Sequence, residues 1–423
     1  KGNRLGFNKT LIPAKYGGLG LGEVETCLVV EELSWADGGI GSTYFVHNMQ
    51  LLTLGESGSE EQKEKWFRAC VNDPEERFFM SLPWTEHGVA GNLSPRDFAA
   101  GRANNGPILP AEWATQSTVP QLEQREMTTV AVEDGDDWII NGTKRFITSA
   151  GRSKLMLTSA RKGQASPDVG MGLFLIPADA PGVSYGHIED KMGQRLMQNG
   201  EVIFQDCRVP KSDELKDYMT RPRVRGGDVE VAAVFNGIAR RAYEEALAYA
   251  RIRYKGGARI IFHQAVQMAI CDMAIKILTS RLLMLKAAWE NDQETGFNNY
   301  NGMAKIYSSD VAVSVTNQAM QVFGGYGYMR DFPMEKLYRD ARLGPIYHAT
   351  NEMIMVGQLV RWLASMDTIY EMVWREESSA SDESALMTVA ACDLVDISPK
   401  SHGVLPGTRE EDMQIELPGD CCP

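Results

Sequence analysis

Three kinds of residue in this chain of 423 are equipped for chemistry by type and grouping: its thiols, a glycine cluster and a few imidazoles. The seven cysteines, Cys27, Cys70, Cys207, Cys271, Cys392, Cys421 and Cys422, are scattered and odd in number. They lack the paired spacing of a zinc site, and a reducing compartment suits them best. Gly38-Gly39-Ile40-Gly41 would cradle a phosphate only if a strand led into it. A helical run precedes it instead, so it reads as a helix-ending turn. His263 opens another helical run and reads as a cap or core residue. His348 lies in Ile346-Tyr347-His348-Ala349-Thr350, and its imidazole is of a type suited to acid–base work. An imidazole is largely neutral at pH 7, with an unperturbed pKa of about 6.5, and is among the commonest general bases.

These residues must be positioned by three regions and a tail, in line with the soft prior of about 150 residues per domain. Residues 21–83 carry helical periodicity, with Gly22–Ser34 as one helix and Ser59–Cys70 as another, the latter opened by the N-cap signal Ser59-Glu60-Glu61-Gln62. From 84 to 221 the runs are short and β-rich. Thr128–Glu133 and Trp138–Ile140 flank Asp134-Gly135, and Asn141-Gly142 precedes Lys144–Thr148, so the turn dipeptides predict antiparallel hairpins. Leu155–Ser159, Gly172–Ile176 and Val202–Phe204 extend the pattern. Helical period returns in Val229–Arg253, His263–Asn291, Asn301–Phe323 and Asn351–Ser365, which predicts a four-helix bundle over 222–366. The expected fold class is therefore α+β: an N-terminal helical domain over 1–83, a middle antiparallel β domain over 84–221 and the closing bundle. A doubly wound sheet is excluded, because strands and helices do not alternate.

The formal net charge is -13, and residues 376–423 hold eleven acidic against two basic side chains. The 367–423 tail is thus acidic and peripheral, and the body is close to neutral. An acidic chain without a basic stripe repels phosphate backbones, so nucleic acid is not an expected partner. No apolar run approaches the about 18 residues of a membrane span. The chain opens on Lys1 inside a continuing element, so the N-terminus reads as incomplete and a targeting peptide as lost without trace; the expected setting is the bacterial cytoplasm or the mitochondrial matrix.

Six landmarks in order resemble the acyl-CoA dehydrogenase family over roughly residues 10–366. They are Thr85-Glu86, Asn141-Gly142-Thr143-Lys144-Arg145-Phe146-Ile147-Thr148, Lys191-Met192-Gly193-Gln194-Arg195, Asp206-Cys207-Arg208-Val209-Pro210, His263-Gln264-Ala265-Val266, and Gln321-Val322-Phe323-Gly324-Gly325-Tyr326-Gly327. The resemblance implies FAD as cofactor, an acyl-CoA thioester as substrate, an electron-transfer flavoprotein as electron acceptor, and a homo-oligomer, dimer or tetramer. It places the Thr148 hydroxyl at the flavin N5 and Thr85 at the pyrimidine edge. Phe146, where relatives often carry Trp, either packs on the isoalloxazine or is a plain β-core aromatic. Arg253 is implied to reach the pyrophosphate of a neighbouring subunit's FAD, helped by Gln264, Gln321, Gly324 and Gly325. Thr350 and Glu352 carry over as cofactor contacts, and Asp228 and Ala349 as substrate contacts.

The departures concern the base. The family's segment normally reads Ile-Tyr-Glu-Gly-Thr, the Glu removing the proton α to the thioester, whereas here His348 and Ala349 follow Tyr347. An alternative glutamate position, on the first long helix of the last domain, falls on Gly227, with Asp228 where many relatives have Arg. His348 is therefore the expected base, with Asp228 and Glu230 either alternatives to it or solvated helix-start acids. Its backbone N–H keeps the family's oxyanion-type contact with the thioester carbonyl. Two further departures are Gly91, where relatives supply a Ser, and the stretch Leu93–Glu126, about thirty residues longer than usual. Phe45, His47 and Gln50 are expected at the far end of the acyl pocket. The expected activity is dehydrogenation between Cα and Cβ of an acyl-CoA. Elimination, decarboxylation or enoyl-CoA reduction on the same scaffold is the alternative, as is a non-catalytic partner subunit of a hetero-oligomeric dehydrogenase.

Overall fold

The computed structural model describes residues 2–86, 127–163, 170–216, 218, 228–293, 300–355 and 359, all within a unit spanning Lys1–Ser365. The Leu93–Glu126 stretch, Gly91, Arg225-Gly226-Gly227, the acidic tail, and residues 356–358 and 360–365 of the last expected helix lie outside the described residues.

The first region folds as three helices, α1 (Glu23–Ala36), α2 (Gly38–Ser57) and α3 (Glu60–Val71). Ser59 caps α3 as its pattern predicts: its hydroxyl accepts from Gln62 N at 3.2 Å while the Gln62 side chain accepts from Ser59 N at 2.8 Å. The glycine cluster is corrected, for it begins α2 instead of ending α1. Asp37 caps α2, accepting from Gly39 N at 2.8 Å and Ile40 N at 3.1 Å. The two helices cross so closely that a Cβ on Gly41 would lie 1.7 Å from Ser34 Oγ. The glycines are there for packing, which a run of glycines alone does not reveal.

The middle region is one seven-stranded sheet: β1 (Met80–Ser81), β2 (Val130–Asp134), β3 (Asp137–Thr148), β4 (Leu155–Lys162), β5 (Met171–Pro177), β6 (Val183–Ile188) and β7 (Asn199–Pro210). Its path runs β1-β4-β2-β3-β7-β6, with β5 also pairing with β4. The long pairings are antiparallel, β3 with β7 and β4 with β5, while β4 also takes short parallel contacts with β1 and β2. Asp134 and Asp137 flank the predicted hairpin turn. Asn141-Gly142, in contrast, is no turn: β3 runs straight through it with a register shift after Ile140. A Cβ on Gly142, at φ +149°, would sit 2.5 Å from Thr129 Cα, so the neighbouring strand demands glycine within a bulge. β4 and β5 read as continuous apolar runs because both faces are covered. Leu155, Leu157, Leu173 and Leu175 pack toward α2 and α3, while Met156, Phe174 and Ile176 pack on Trp138 and Val202.

The last region holds α4 (Asp228–Ile252), α5 (Gln264–Asp292), α6 (Tyr300–Phe323), the short α7 (Met334–Ala341) that periodicity did not predict, and α8 (Asn351–Ile354). A small hairpin, β8 (Tyr254–Lys255) with β9 (Ala258–Arg259), joins α4 to α5. α4 is central, packing on α1, α5 and α6. The buried Glu31 carboxylate of α1 accepts from Arg281 Nε at 2.9 Å and from Arg240 Nη1 at 3.2 Å, fastening α1 to α4 and α5. Asp340 of α7 accepts from the Gln194 backbone N–H, and Arg339 donates to the Met192 carbonyl at 2.6 Å. The loop before β7 is thereby tied to the helical region. No helix among the described residues is long and apolar enough to cross a membrane.

His47 lies in the core of α2 and not in a ligand pocket, a correction to its expected place near the acyl group. Its Nε2 donates to Asn8 O at 2.7 Å and its Nδ1 accepts from Met80 N at 3.0 Å, which fixes a neutral imidazole. Burial lowers its pKa to about 4, against the pull of the Asn8 carbonyl. A base with a depressed folded pKa contributes stability that is present above the unfolded value of about 6.5 and lost as pH falls toward the folded one. Between pH 7 and 4.5 the parent should lose about 2–3 kcal/mol from this group, at 1.36 kcal/mol per pKa unit. Urea unfolding of the parent and His47→Gln across that range checks it, and equal slopes in both proteins would exclude a buried neutral histidine.

Candidate active site

The segment between α7 and α8 carries the pair of residues expected nearest the chemistry. His348 and Ala349 both stand in the left-handed region, at φ +54° and +77°, a corner that L-residues adopt at a cost. The corner holds because its surroundings over-determine it. Lys305 of α6, fully buried, donates to Ala349 O at 2.8 Å and to Asn351 Oδ1 at 2.8 Å. Asn351 in turn donates to Ser309 Oγ at 3.0 Å and Asp310 Oδ1 at 2.9 Å. Burial pushes Lys305 down to about 8, opposed by the charges of Asp228, Asp310 and Glu352. Tyr347 is wedged between Phe45 and Phe235 with its hydroxyl 3.3 Å from Ser42 Oγ, and burial pushes its phenol well above the ordinary value.

His348 meets Asp228, at the start of α4, with Nε2 to Oδ1 at 3.0 Å, and its ring stands edge-on to Phe45 at 5.3 Å. A carboxylate only accepts, so the neutral imidazole carries its proton on Nε2 and offers the Nδ1 lone pair. Of the three residues expected at the acyl end, Phe45 alone reaches this ring. The Gln50 side chain bonds the Val46 carbonyl of its own helix at 3.3 Å. Glu230 is not beside His348: it lies two positions beyond Asp228, on the opposite face of α4, wholly buried. Burial raises its pKa well above the ordinary range, and Glu23 raises it further, against the Asn48 side chain. It is a core acid, not a solvated one.

A second cluster forms on the sheet. Strand β3 has a second register shift between Lys144 and Ile147, and the bulge throws Phe146 outward at φ +60°, 54% exposed beneath the Arg145 guanidinium at 4.9 Å. The β-core alternative for Phe146 is thus overturned. A bulky residue in a left-handed conformation, presented to solvent, is the kind of strain that persists at ligand sites. Two residues on, Thr148 Oγ1 accepts from Asn199 Nδ2 at 3.2 Å, and among the described residues its own proton reaches only the Met197 sulfur, at 3.7 Å. Thr85 is placed by a buried ion pair: Lys144 Nζ bonds Glu86 Oε1 at 2.7 Å, Ser159 Oγ at 3.1 Å and Trp84 O at 3.2 Å. The Arg145 amide donates to Thr85 O at 2.8 Å. Burial lowers Lys144 to about 8 despite Glu86, and Glu86, pushed up by burial, is brought below its ordinary range by Lys144 and the Thr128 and Thr129 donors. Both stay ionised at neutral pH.

The third group lies at the surface, with Arg253 half-buried. Arg253 stacks over Tyr326 at 5.2 Å, next to Gly324 (φ +61°) and Gly325, around whose Cβ positions lies open space. Gln264 and Gln321 are also on the surface. The structure does not bring these five to Thr148 or His348 within one chain. Thr350 caps α8, its hydroxyl accepting from Met353 N at 3.3 Å. Glu352 is exposed, held below its ordinary pKa first by its own backbone N–H and then by Thr350. His263 precedes α5 without capping it by side chain and bonds Lys255 O at 2.8 Å. Lys191, Asn199, Lys305 and Asn351 carried no assigned role in the sequence reading, and only Lys191 lay in a quoted landmark. Among the described residues no group of His, Cys, Asp and Glu is arranged to hold a metal ion.

The described residues thus comprise a helical region, a β region that presents an aromatic and a hydroxyl, and a second helical region that carries a His–Asp pair. Models of the N-terminal, middle and C-terminal domains of acyl-CoA dehydrogenase match residues 1–73, 114–207 and 226–364. The short-chain specific acyl-CoA dehydrogenase of Rattus norvegicus mitochondria is 30% identical over 371 residues, covering 85% of this chain and 82% of its own length. Butyryl-CoA dehydrogenase from Megasphaera elsdenii superposes with a TM-score of 0.72 at 28% identity, covering 85% of this chain and 88% of its own. A chain of the electron transferring flavoprotein of Acidaminococcus fermentans gives 0.70 at 30%, covering 86% and 88%. The chain belongs to the acyl-CoA dehydrogenase family. Homologues in it are flavoenzyme oxidoreductases acting on CH–CH bonds with FAD as cofactor, and the strained exposed Phe146 and the poorly accepted Thr148 proton fit that group.

Ala349 holds a left-handed conformation that glycine would adopt without steric cost. Ala349→Gly should therefore raise stability by about 0.5–1 kcal/mol, the left-handed penalty less the entropy of glycine. Chemical denaturation checks it, and a loss of stability would mean that the Lys305 bond alone sets the corner.

Proposed function

We propose that the chain is an acyl-CoA dehydrogenase-type oxidoreductase in which a His348–Asp228 dyad replaces the usual glutamate. The contact at 3.0 Å carries this reading, because it joins two departures from the family pattern: histidine where relatives have Glu, and aspartate where many have Arg. One change removes an acid from 348 and the other places one at 228, and together they keep a proton donor facing a carboxylate. Asp228 holds the imidazole proton on Nε2, Phe45 fixes the ring, and Nδ1 takes the proton from Cα. The His348 N–H, turned by the left-handed corner, donates to the thioester carbonyl as enolate charge develops. Bound FAD supplies the acceptor for the hydride leaving Cβ. Thr148 and Phe146 orient the ring, with Thr85 at its pyrimidine edge, and an electron-transfer flavoprotein takes the electrons. Thr350 and Glu352, at the start of α8, stand beside the corner, with Ala349 against the substrate.

The reverse direction uses the same atoms, for an imidazolium at 348 held by Asp228 returns a proton to Cα during enoyl-CoA reduction. The pairing favours keeping that second reading. His348→Ala should slow flavin reduction by acyl-CoA about 10²–10⁴-fold while FAD stays bound, the ordinary contribution of a general base. Anaerobic stopped-flow bleaching with a panel of acyl-CoAs measures it. Parent-like reduction in the variant would make the imidazole pocket lining, and no reduction by any acyl-CoA alongside oxidation by enoyl-CoAs would select the reverse reaction.

The surface cluster around Arg253 supports a homo-oligomer, dimer or tetramer, in which Arg253, Gln264, Gln321, Gly324 and Gly325 complete a neighbour's FAD site. An exposed apolar stripe on α5, Met268, Ile275, Leu278 and Leu282, repeats at helical spacing and fits a subunit contact. Arg253→Ala should weaken FAD retention with the fold unchanged. Light scattering and the flavin-to-protein ratio test both points, and a monomer with full FAD would exclude the shared site.

A further inference from the structure

The loop before β7 carries a polar chain that ends on Thr148. Lys191 Nζ donates to Gln194 O at 3.0 Å, to Met197 O, and to Asn199 Oδ1. The Asn199 amide donates in turn to Phe146 O at 2.9 Å and to Thr148 Oγ1 at 3.2 Å. Direction along this chain is fixed at both ends. An ammonium only donates, so the Asn199 oxygen faces Lys191; a carbonyl only accepts, so the Asn199 nitrogen faces Phe146. Both constraints give the amide the same orientation, and Asn199 is itself only 8% exposed. Thr148 must therefore accept from Asn199, which leaves its single proton to be donated elsewhere.

We infer that Asn199, locked by Lys191, is a positioning residue that presents the Thr148 hydroxyl as a hydrogen-bond donor toward the flavin N5. The inference rests on the FAD reading above and assigns a residue to which that reading gives no part. Among the described residues the proton reaches only the Met197 thioether, a weak acceptor, so it is available to a better one. Burial lowers the Lys191 ammonium to about 8 against the pull of Asp340 and Asp37, which leaves it charged, and donating, at neutral pH. An oxidised flavin accepts at N5, whereas a reduced one carries a proton there. A hydroxyl held as donor therefore favours the oxidised form.

A double-mutant cycle on the FAD-loaded protein isolates the Asn199–Thr148 bond from the bond of Asn199 to the Phe146 carbonyl, because a Thr148→Val background removes only the first. Asn199→Leu in the parent should shift the oxidised-to-reduced flavin ratio at fixed potential up to tenfold toward reduced, about 30 mV for a two-electron couple. The same substitution in a Thr148→Val background should shift it less than twofold. Dye-coupled reduction gives the potentials, and the visible bands of the oxidised flavin should move in the first background only. Asn199→Ala takes the place of Asn199→Leu should that variant fail to fold. Equal shifts in both backgrounds, or none in either, overturn the inference while leaving the FAD reading intact. A parent that retains no FAD overturns both.

Discussion

An ammonium drawn away from water must be given acceptors, and this constraint, met three times, sets the positions of the site's segments. Removing a charge from water costs several kcal/mol, so each such lysine draws carbonyls and carboxylates around itself. Lys144 gathers Trp84 O, Glu86 and Ser159 and so places the segment containing Thr85. Lys191, half-buried, gathers Gln194 O, Met197 O and Asn199 and so places the loop facing Thr148. Lys305 gathers Ala349 O and Asn351 and so places the corner at His348. Burial lowers all three to about 8, each opposed by nearby carboxylates. Each lysine fixes a loop that has few regular hydrogen bonds of its own, which is how irregular backbone is kept in a defined place next to a reacting group.

The second organising feature is the reversed pair at His348 and Asp228. Replacing a carboxylate base by imidazole beside an arginine would set two cationic groups together whenever the imidazole gained a proton. Aspartate at 228 removes that conflict and adds a directional bond, since its oxygen at 3.0 Å selects which imidazole nitrogen carries the proton. Phe45 supplies the remaining restraint with an edge-on contact to the ring. In the proposed reading the two departures make physical sense together, so neither is described there as the mere loss of a family residue.

Much of the fold was legible because its signals are local. The capping box at Ser59, the hairpin at Asp134-Gly135 and the long helical periods of α4, α5 and α6 arise from neighbours in sequence. The failures were non-local. Gly38-Gly39-Ile40-Gly41 was misread because the reason for the glycines is Ser34 across a helix crossing, and Asn141-Gly142 because Thr129, just before β2, and not a reversal of the chain, demands Gly142. His47 looked like a pocket residue since nothing in α2 announces that Asn8 O and Met80 N await its two nitrogens. The site divides along the same line: His348 and Thr148 stood out in motifs, while Asp228 stood out only as a departure whose partner the sequence could not name.

The lysines show why that part of the site stays hidden in sequence. Lys305 sits amid Ala304 and Ile306 on a helix otherwise apolar at that turn, and on a helical wheel it is merely a charge on the wrong face. Its meaning appears only when Ala349 and Asn351, over forty positions away, are folded against it. A mid-helix lysine on a core face has two physical outcomes: it snorkels to water, or it meets a segment that needs a donor. Lys305 is too short of solvent for the first, being fully buried, and the left-handed corner at 348–349 supplies the second. The same logic holds for Lys144 within β3, whose inward position breaks the alternation of an otherwise apolar face. A lysine on a face that periodicity assigns to the core is here the sequence-level trace of a held loop, and Lys144 and Lys305 each hold one that borders the proposed flavin and thioester site.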